Sequence, residues 1–273
     1  MKSLRVEKLS LFPIKSCGLL AVSSFQVGLA GPEIQAKDFW LGDRQWMFVD
    51  SDGKYLSQRS HPKLALFQPR MDKDKFKLKI SNEEFEIQAA TGERKTVSVW
   101  GQSIDAIVGD PRIAEAASEL LKTQVQFVSY DERSEREALI KGRGLGVQTR
   151  FTDTQPFLIS SAESLADLNS RLEIPIGEER FRSNIFLSGA GLPFAEDEWK
   201  FVGNPSIVFE ATKPCARCKI ITVNPKTGII DNSEPLKVLA QFRRQETQVY
   251  FGQYFLSRSF GETLSVGDLL QAV

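Results

Sequence analysis

The stretch KPCARCKIITVNPKTG, from Lys213 to Gly228, decides how the rest of the chain is interpreted. It contains two of the three cysteines, Cys215 and Cys218, and Arg217 lies between them in a run that also contains lysines. A thiol beside fixed positive charge is favoured as the thiolate, the form that binds a metal ion or acts as a nucleophile. The motif therefore predicts a functional sulfur in a basic setting.

The residues after this motif restrict its use. The β-branched residues of 220–223 predict a strand, and residues 224–228 predict a hairpin turn. A thioredoxin-type CxxC opens a helix and uses its N-terminal dipole, so a strand here argues against a dithiol redox role. A zinc knuckle needs four ligands, and only Cys17 and His61 remain to supply them. Structural zinc and two small buried hydrophobic residues are the alternatives to a reactive thiolate.

The composition excludes several classes of protein. The 273 residues carry no formal net charge, so no overall field attracts nucleic acid or anionic lipid. The apolar fraction, 41%, is enough for a substantial core. Charged residues interrupt the apolar runs near the N-terminus, and we expect neither a signal peptide nor a membrane span there. Three cysteines without a secretory signal fit a reducing cytoplasm better than a disulfide framework.

The first half of the chain is predicted to consist mainly of short strands. The apolar run of residues 46–49 predicts a strand buried on both faces, and the turn at residues 50–53 predicts a hairpin. Residues 76–80 alternate apolar and charged side chains, as is typical of a strand with one solvated face. Further strands are predicted over residues 6–12, 22–27, 84–87 and 97–100. Many short strands separated by turn signals predict a small barrel or sandwich.

The second half adds helices to this β-rich pattern. One helix is predicted after Asp110-Pro111, one after a Ser161 cap, and a short one over residues 233–242. The charged, glycine-rich segment Asp131 to Arg150 is predicted as a mobile connection or lid, with a solvated loop as the alternative. The predicted fold class is mixed and β-dominated (α+β), with a few covering helices. Its further predicted strands span residues 125–129, 185–187, 202–209, 250–255 and 263–266.

Basic and polar residues recur at the boundaries of these predicted strands, where side chains from several strands meet. Such a set of Arg, Lys, Ser and backbone N–H groups suits a phosphate-bearing cofactor, although each taken alone fits a solvated surface charge. The phosphate-binding glycine motifs and the GxSxG motif are absent, and a single histidine argues against a Ser-His-Asp triad. The residues are Lys15, Ser16, Asp43, Arg44, the run Arg180 to Asn184, and Arg217.

Six motifs together resemble those of MOSC-domain proteins, relatives of the bacterial YcbX-type proteins and of the mitochondrial amidoxime-reducing component. In chain order they are FPIKSCG, GDRQWMFVD, DTQPFLISSAESLADLN, RFRSNIFLSG with PFAEDEW, CARCKIITVNPKTG and FGQYF, and they cover nearly the whole chain. The resemblance implies a MOSC N-terminal β-barrel domain over residues 1–122 packed on a C-terminal MOSC β-barrel domain over residues 123–273. It also implies a molybdenum cofactor (molybdopterin) held between the two domains.

The resemblance assigns roles to individual residues. In the family's C-x-R-C motif the second cysteine ligates molybdenum, which implies Cys218 as the metal ligand and catalytic residue and Cys215 as a structural neighbour. Ala216 and Gln155 each replace a Ser of the mitochondrial relatives, and Ser183 replaces a Pro, so we expect a slightly altered phosphate pocket. The residues implied to bind the cofactor are Lys15, Ser16, Arg44, Asp153, Thr154, Arg182, Asn184, Arg217 and Tyr254.

The function that the resemblance implies is the reduction of N-hydroxylated compounds, such as hydroxylaminopurines, hydroxylamines and amidoximes. The cofactor performs the two-electron chemistry and the protein positions it. Three cysteines cannot supply the four thiolates of an iron–sulfur cluster, so electrons are expected from a separate ferredoxin- or cytochrome-like protein and its reductase. The main alternative is a carrier of cofactor or sulfur, because MOSC domains also resemble part of the molybdenum-cofactor sulfurases. A metal-free binding module is the third possibility.

Overall fold

The computed structural model describes residues 2–139, 146–230 and 234–273. Within these ranges the chain is dominated by strands, with three α-helices and four short 3₁₀ turns. The strands are β1 (Lys2–Leu11), β2 (Leu20–Val22), β3 (Ser24–Gly28), β4 (Gly31–Gln35), β5 (Trp40–Gly42), β6 (Trp46–Val49), β7 (Gln68–Asp72), β8 (Lys75–Ile80), β9 (Glu83–Glu86), β10 (Arg94–Val99), β11 (Gln102–Val108), β12 (Gln126–Tyr130), β13 (Glu137–Leu139), β14 (Gly146–Gln148), β15 (Phe157–Ser161), β16 (Ile185–Ser188), β17 (Phe201–Gly203), β18 (Val208–Ala216), β19 (Arg244–Gln245), β20 (Gln248–Ser257), β21 (Thr263–Ser265) and β22 (Leu269–Ala272). The α-helices are α1 (Pro111–Leu121), α2 (Ala162–Asn169) and α3 (Glu234–Phe242), and the 3₁₀ turns are Pro62–Leu66, Glu178–Phe181, Ala195–Asp197 and Lys219–Thr222.

Seven of these strands form a closed barrel. Their order is β15-β16-β1-β22-β17-β18-β20, and β20 pairs back with β15. Neighbours are antiparallel except for β15 and β16, which are parallel. Closure pairs every strand of the ring on both sides, so the ring has no free edge. One core cluster includes Val6 of β1, Ile159 of β15 and Phe209 of β18, all fully buried. The β-dominated fold class predicted from the sequence is confirmed.

Within the described ranges four smaller sheets accompany the barrel: β10-β11-β12-β6, β21-β3-β4-β5, β7-β8-β9 and the pair β13-β14. Strand β6 confirms the prediction of burial on both faces, because all four of its residues are buried. Trp46 and Phe48 belong to the large core cluster that includes the barrel residues, while Met47 and Val49 belong to a separate cluster. Successive side chains of a strand face opposite sides, so β6 separates two cores.

The helices follow the capping signals in the sequence. Asp110 caps α1 by accepting a hydrogen bond from the Arg112 N–H (2.9 Å), and Pro111 occupies the first helical position. Ser161 caps α2 by accepting from the Ser164 N–H (3.2 Å). Both helix predictions are confirmed, as is α3 over its described part. No helix in the described ranges combines the length and the apolar character needed to cross a bilayer.

One strand prediction is wrong because a turn interrupts it. Residues 202–209 form parts of two strands, β17 and β18, and not one strand. The side-chain oxygen of Asn204 accepts hydrogen bonds from the N–H groups of Ser206 (3.0 Å) and Ile207 (2.9 Å). This local turn reverses the chain, so the two apolar runs pair with each other as a hairpin.

A second strand prediction, over residues 220–223, is also wrong. The strand ends at Ala216, before Cys218, and Lys219–Thr222 form a 3₁₀ turn in which Thr222 Oγ1 donates to the Lys219 carbonyl oxygen (2.6 Å). Ile220 and Ile221 lie within this turn, and Val223 forms only an isolated antiparallel bridge with Ile230, so tertiary context overrides their strand propensity. The hairpin turn that follows is confirmed, because Gly228 N–H donates to the Asn224 carbonyl oxygen (2.8 Å).

Strand pairings cross the boundary predicted at residue 122. Strand β1 lies in the barrel, whose other strands all follow residue 156, while β12 pairs with β6 and β21 pairs with β3. The division into two domains stays a prediction. The lid predicted over residues 131–150 also stays a prediction, because residues 140–145 lie outside the described ranges; β13 and β14 pair on either side of them.

Candidate functional site

One cleft, with a volume of about 560 Å³, is lined by all ten residues that the resemblance assigned to the cofactor or the metal, although not by Asp43 or Ser183. Most of these residues lie in loops that precede or follow barrel strands, and Tyr254 lies within β20. The β-barrel and the segment between β1 and β6 both contribute side chains, so the chain brings together residues far apart in sequence. The predicted residues are Lys15, Ser16, Arg44, Asp153, Thr154, Arg182, Asn184, Arg217, Cys218 and Tyr254.

Three of the predicted residues have a left-handed backbone. The φ angles are 65° for Ser16, 49° for Arg44 and 58° for Arg182. Non-glycine residues rarely adopt this conformation, and it persists only where the surrounding structure imposes it. The Arg44 N–H donates to the Phe12 carbonyl oxygen (2.9 Å), which is one of the contacts that fix it. These three strained residues thus lie in loops whose side chains line the cleft.

Lys15 and Asp153 form an ion pair. The Lys15 ammonium is 5% exposed and also donates to the Phe151 carbonyl oxygen (2.8 Å). Burial lowers the pKa of Lys15 from 10.5 to about 8, although Asp153 partly opposes this. Burial alone would raise the pKa of Asp153, but the Lys15 ammonium and a hydrogen bond from Trp100 Nε1 (3.0 Å) hold it below its usual range. Asp153 therefore stays ionised, while Lys15 loses its charge near pH 8.

Arg44 and Arg182 both stack on the ring of Phe12. Their guanidinium carbons lie 4.6 Å and 4.2 Å from its centroid. Arg44 pairs with the buried Asp43, whereas Arg182 Nη1 donates to the Cys17 carbonyl oxygen (2.6 Å). Arg182 Nη2 is buried and has no hydrogen-bond partner among the described residues. Burial, with Arg44 nearby, lowers the pKa of Arg182. A buried guanidinium donor without a partner is costly, which indicates a site prepared for an anion.

The cleft concentrates positive charge in a protein that has no net charge. Of the described residues that line it, seven are basic and one, Asp153, is acidic. Guanidinium groups bind phosphate and carboxylate bidentately, so this excess indicates an anionic ligand. The basic residues are Lys15, Arg44, Arg59, Arg180, Arg182, Lys213 and Arg217.

Arg217 differs from Arg182 because its donors are engaged with the protein backbone. Its Nε and Nη2 donate to the Phe251 carbonyl oxygen (2.9 and 2.7 Å), and its Nη1 donates to the Phe181 carbonyl oxygen (2.7 Å). The adjacent Gly252 has φ +71°, so a side chain there would be strained. Arg217 therefore braces β20 against the 3₁₀ turn that ends at Phe181, and it shapes the wall of the cleft.

Asn184 and Tyr254 also have partners or surroundings that fix them. Asn184 Oδ1 accepts from the Leu158 N–H (3.2 Å), and its Nδ2 donates to the Ser10 carbonyl oxygen (3.2 Å). These bonds tie β1, β15 and the start of β16 together at the cleft. Burial raises the pKa of Tyr254, with Cys215 adding to the shift, so the phenol is neutral at physiological pH.

The two cysteines of the motif have different surroundings. Cys215 lies in β18, is 2% exposed, and has a pKa raised by burial, as expected of an inert structural thiol. Cys218 lies beyond the strand end, is partly exposed in the cleft, and receives a contact from Arg59 Nη1 at 3.5 Å from its Sγ. Within the described ranges no cluster of three or more His, Cys, Asp or Glu could hold a metal ion.

Tyr55, Arg59 and Trp100, which we call the aromatic rim, were not predicted from the sequence. Arg59 Nη2 donates to the Tyr55 hydroxyl (3.1 Å), and the Arg59 guanidinium carbon lies 4.8 Å from the Trp100 ring centroid. Arg59 and Trp100 line the cleft. Arg59 lies outside the motifs recognised in the sequence, and its contact with Cys218 joins residues 159 positions apart. The one available signal was the Trp-Gly pair at 100–101, in a turn that favours Asn-Gly.

Comparison with known proteins shows the family of the chain. The model for the MOSC N-terminal beta barrel domain matches residues 3–124, and the model for the MOSC domain matches residues 147–271. The chain is similar to mitochondrial amidoxime-reducing component 1 of Mus musculus (32% identity, 96% of this chain and 80% of that protein) and of Homo sapiens (30%, 96% and 81%).

Two further similarities are weaker or partial. The molybdenum cofactor sulfurase of Oryza sativa is 26% identical over 92% of this chain, which spans 32% of that protein. The crystal structure of the YUAD protein from Bacillus subtilis matches with a TM-score of 0.42 and 11% identity over 98% of this chain and 94% of that one. The two family models and the relatives at 30% identity or above agree with each other. The chain therefore belongs to the MOSC family, as a protein with a MOSC N-terminal β-barrel domain and a MOSC domain that is related to the mitochondrial amidoxime-reducing components.

Proposed function

We propose that the cleft binds a molybdenum cofactor of the molybdopterin type and that the protein uses it to reduce N-hydroxylated compounds, among them amidoximes, hydroxylamines and hydroxylaminopurines. The observation that carries the proposal is the convergence of ten residues on one basic cleft that also contains a partly exposed thiol, Cys218. Similarity over 96% of the chain to proteins named amidoxime-reducing components supports the same function.

The buried end of the cleft fits a phosphate-bearing group. Lys15 is buried and Arg182 is partly buried, and the buried Nη2 of Arg182 lacks a partner among the described residues. A phosphate oxygen would satisfy this donor and would offset the mutual repulsion of Arg44 and Arg182. Ser16 adds a hydroxyl beside Lys15. These residues would therefore hold the phosphate of the cofactor.

The other end of the cleft fits a soft metal centre. A thiolate is a soft ligand, and Cys218 is the partly exposed cysteine of the motif. Arg59 lies beside its sulfur, with Nη1 at 3.5 Å from Cys218 Sγ. When bound, the cofactor supplies two-electron, oxygen-removing redox chemistry. Arg217 and Asn184 keep the walls in place through their backbone contacts, and Cys215 stays buried within β18.

Electrons in this proposal come from another protein. The chain has three cysteines, of which Cys17 and Cys215 are buried, so it does not offer the four thiolates of an iron–sulfur cluster. A ferredoxin- or cytochrome-like donor with its reductase would supply the electrons, and the cleft is the entry point that the fold offers. The cytoplasmic compartment expected from the sequence stays a prediction.

The test compares two cysteine variants made in a host that synthesises the cofactor. We expect Cys218→Ala to lose molybdenum and the reduction of benzamidoxime by an artificial one-electron donor. Cys215→Ala is the matched control, because it removes the buried sulfur of the same motif, and we expect it to retain the metal. Molybdenum per protein is measured by mass spectrometry and pterin by fluorescence after oxidation. Equal molybdenum in the wild type and Cys218→Ala would remove Cys218 from the proposed role.

The second candidate function is transfer of cofactor or sulfur. It is favoured by the similarity of 92% of the chain to a molybdenum cofactor sulfurase. In that case Cys218 would carry a persulfide or bind the cofactor transiently. The cofactor-loaded protein then fails to reduce benzamidoxime, acetamidoxime and hydroxylamine with the artificial donor, while mass spectrometry detects an added sulfur on Cys218 after incubation with a persulfide donor. Turnover of any of these substrates favours the reductase.

A further inference from the structure

Trp100 occupies a turn that disfavours it. Strands β10 and β11 pair as far as Val99 and Gln102, so Trp100 and Gly101 form a two-residue hairpin turn. Their φ angles are 54° and 78°. A hairpin turn with positive φ at both central residues prefers Asn-Gly or Asp-Gly, because a bulky residue in this region is strained. The local structure therefore gives no reason for an indole at residue 100.

The Trp100 side chain is also exposed to solvent, which is unfavourable for a large aromatic group. It is 55% exposed and lines the cleft. A large aromatic side chain usually buries its surface, and contiguous exposed apolar surface commonly marks a binding site. Residue 100, which lines the cleft, thus combines a strained backbone with a half-exposed indole.

The indole is nevertheless held in one orientation. Its Nε1 donates to Asp153 Oδ1 (3.0 Å), the guanidinium of Arg59 lies over the ring at 4.8 Å, and the ring of Tyr55 packs against it with centroids 5.7 Å apart. Three neighbours therefore fix an aromatic ring whose surface is still more than half exposed. A pre-organised platform of this kind loses little conformational entropy when a ligand stacks on it.

The platform is adjacent to the sulfur that we assign to the metal. Arg59 contacts both Trp100 and Cys218, since its Nη1 lies 3.5 Å from Cys218 Sγ while its guanidinium covers the indole. A single side chain, that of Arg59, therefore links the indole of Trp100 to Cys218. The buried, basic end of the cleft is suited to phosphate, whereas the aromatic rim is suited to a flat organic group.

We propose that Trp100 determines substrate specificity by providing a stacking platform for planar, π-conjugated N-hydroxylated compounds. The ring of an aromatic amidoxime or the base of a hydroxylaminopurine would lie on the exposed part of the indole, because aromatic rings stack favourably in offset geometry. The proposal rests on the proposed function for the reaction itself. Arg59 and Tyr55 act as positioning residues, since they hold the indole and not the substrate.

The experiment compares two substrates that share the reacting group and differ in the ring: benzamidoxime and acetamidoxime. In the cofactor-loaded protein, Trp100→Asn is expected to lower the ratio of their kcat/KM values about tenfold, mainly through the KM for benzamidoxime. Asn suits the turn, so this variant should fold. Trp100→Phe keeps a ring without the N–H donor and should retain most of the ratio. Trp40→Asn is the control, because Trp40 is 44% exposed on β5 and outside the residues lining the cleft.

Two outcomes would overturn the platform. One is an unchanged substrate ratio in Trp100→Asn; the other is an equal loss in Trp100→Phe, which would assign the effect to the hydrogen bond with Asp153. Binding of both amidoximes, measured by NMR titration of the cofactor-loaded protein, separates this inference from the proposed function. If nothing turns over but Trp100→Asn weakens benzamidoxime binding selectively, the reaction is wrong and the platform stands. If both compounds turn over or bind without a change in preference, the platform fails.

Discussion

The two ends of the cleft use aromatic and basic side chains in opposite ways. At the buried end, Phe12 lies beneath Arg44 and Arg182, and a guanidinium nitrogen of Arg182 lacks a partner in the described part of the chain. At the aromatic rim, Arg59 has partners and it is the Trp100 indole that remains exposed. The buried end thus presents a charged donor without a described partner, and the aromatic rim presents apolar surface that is exposed to solvent.

This difference indicates two kinds of ligand with different lifetimes. Buried cations with few partners favour an anion that stays bound, because removing it restores the cost of unpaired charge. An exposed ring surface favours a group that exchanges with solvent, since stacking at a half-exposed site is modest. A resident cofactor at one end and a changing substrate at the other match this division.

The largest expected effect is at the buried end. Arg182→Ala should weaken retention of the cofactor about thirtyfold or more, because truncating a buried charged hydrogen-bonding group costs about 2–5 kcal/mol. Pterin retained after equilibrium dialysis, detected by fluorescence after oxidation, measures the effect. Arg112→Ala is the control, since the Arg112 side chain on α1 is 75% exposed. Wild-type retention by Arg182→Ala would show that the buried end does not bind the cofactor.

Arg217 sharpens the comparison because it is a cleft arginine whose donors are already engaged. Arg217→Ala should lower the free energy of unfolding by about 2 kcal/mol, since the carbonyls of Phe181 and Phe251 lose their charged donors. Urea denaturation of the cofactor-free protein measures this change. Arg182→Ala, in the same experiment, should cost about half as much. A stable Arg217→Ala protein that has lost its cofactor would mean that Arg217 contacts the ligand and does not brace the wall.

The smallest expected effect is the pH dependence of anion binding at Lys15. Its pKa is lowered by burial to about 8, so the ammonium form dominates below pH 8 and is lost as the pH rises through that value. Affinity of the cofactor-free protein for sulfate, which does not titrate in this range, should be constant up to about pH 7 and fall about tenfold by pH 9. Calorimetric titration from pH 6.5 to 9.5 measures it.

A Lys15→Arg variant tests the origin of that dependence. Arginine stays protonated throughout this range, so the decline between pH 7 and pH 9 should become much shallower. A wild-type affinity that stays level to pH 9 would contradict the lowered pKa of Lys15. An equally steep decline in both proteins would assign the titration to another group of the cleft.

The sequence predicted the fold best where local signals and burial agree. Asp110-Pro111 and Ser161 start helices because their own side chains or rings satisfy the helix end. The prediction of strand β6 was correct because four consecutive apolar residues need burial on both faces. The predictions failed at residues 202–209 and 220–223, where an Asn-centred turn and the end of β18 overrode the strand propensity of Ile and Val.

The candidate site divides in the same way. The sequence by itself determined the chemistry of the motif residues: a thiol next to an arginine at 215–218, and basic or hydroxyl side chains at 15–16, 44 and 182. Only the tertiary structure decided which of these groups already have hydrogen-bond partners in the protein. Arg182 and Arg217 look alike in sequence, but the carbonyls of Phe181 and Phe251 occupy the donors of Arg217 and leave Arg182 Nη2 without a partner within the described ranges.

The aromatic rim belongs wholly to the tertiary structure. Arg59 and Cys218 lie 159 positions apart, and Trp100 meets Asp153 across 53 positions, so no local pattern specifies either contact. Composition and periodicity report which residues seek burial or solvent, because those preferences are properties of single side chains and short segments. The partner that a side chain finds depends on how the barrel closes and which loops it brings together, and that is decided by packing over the whole chain.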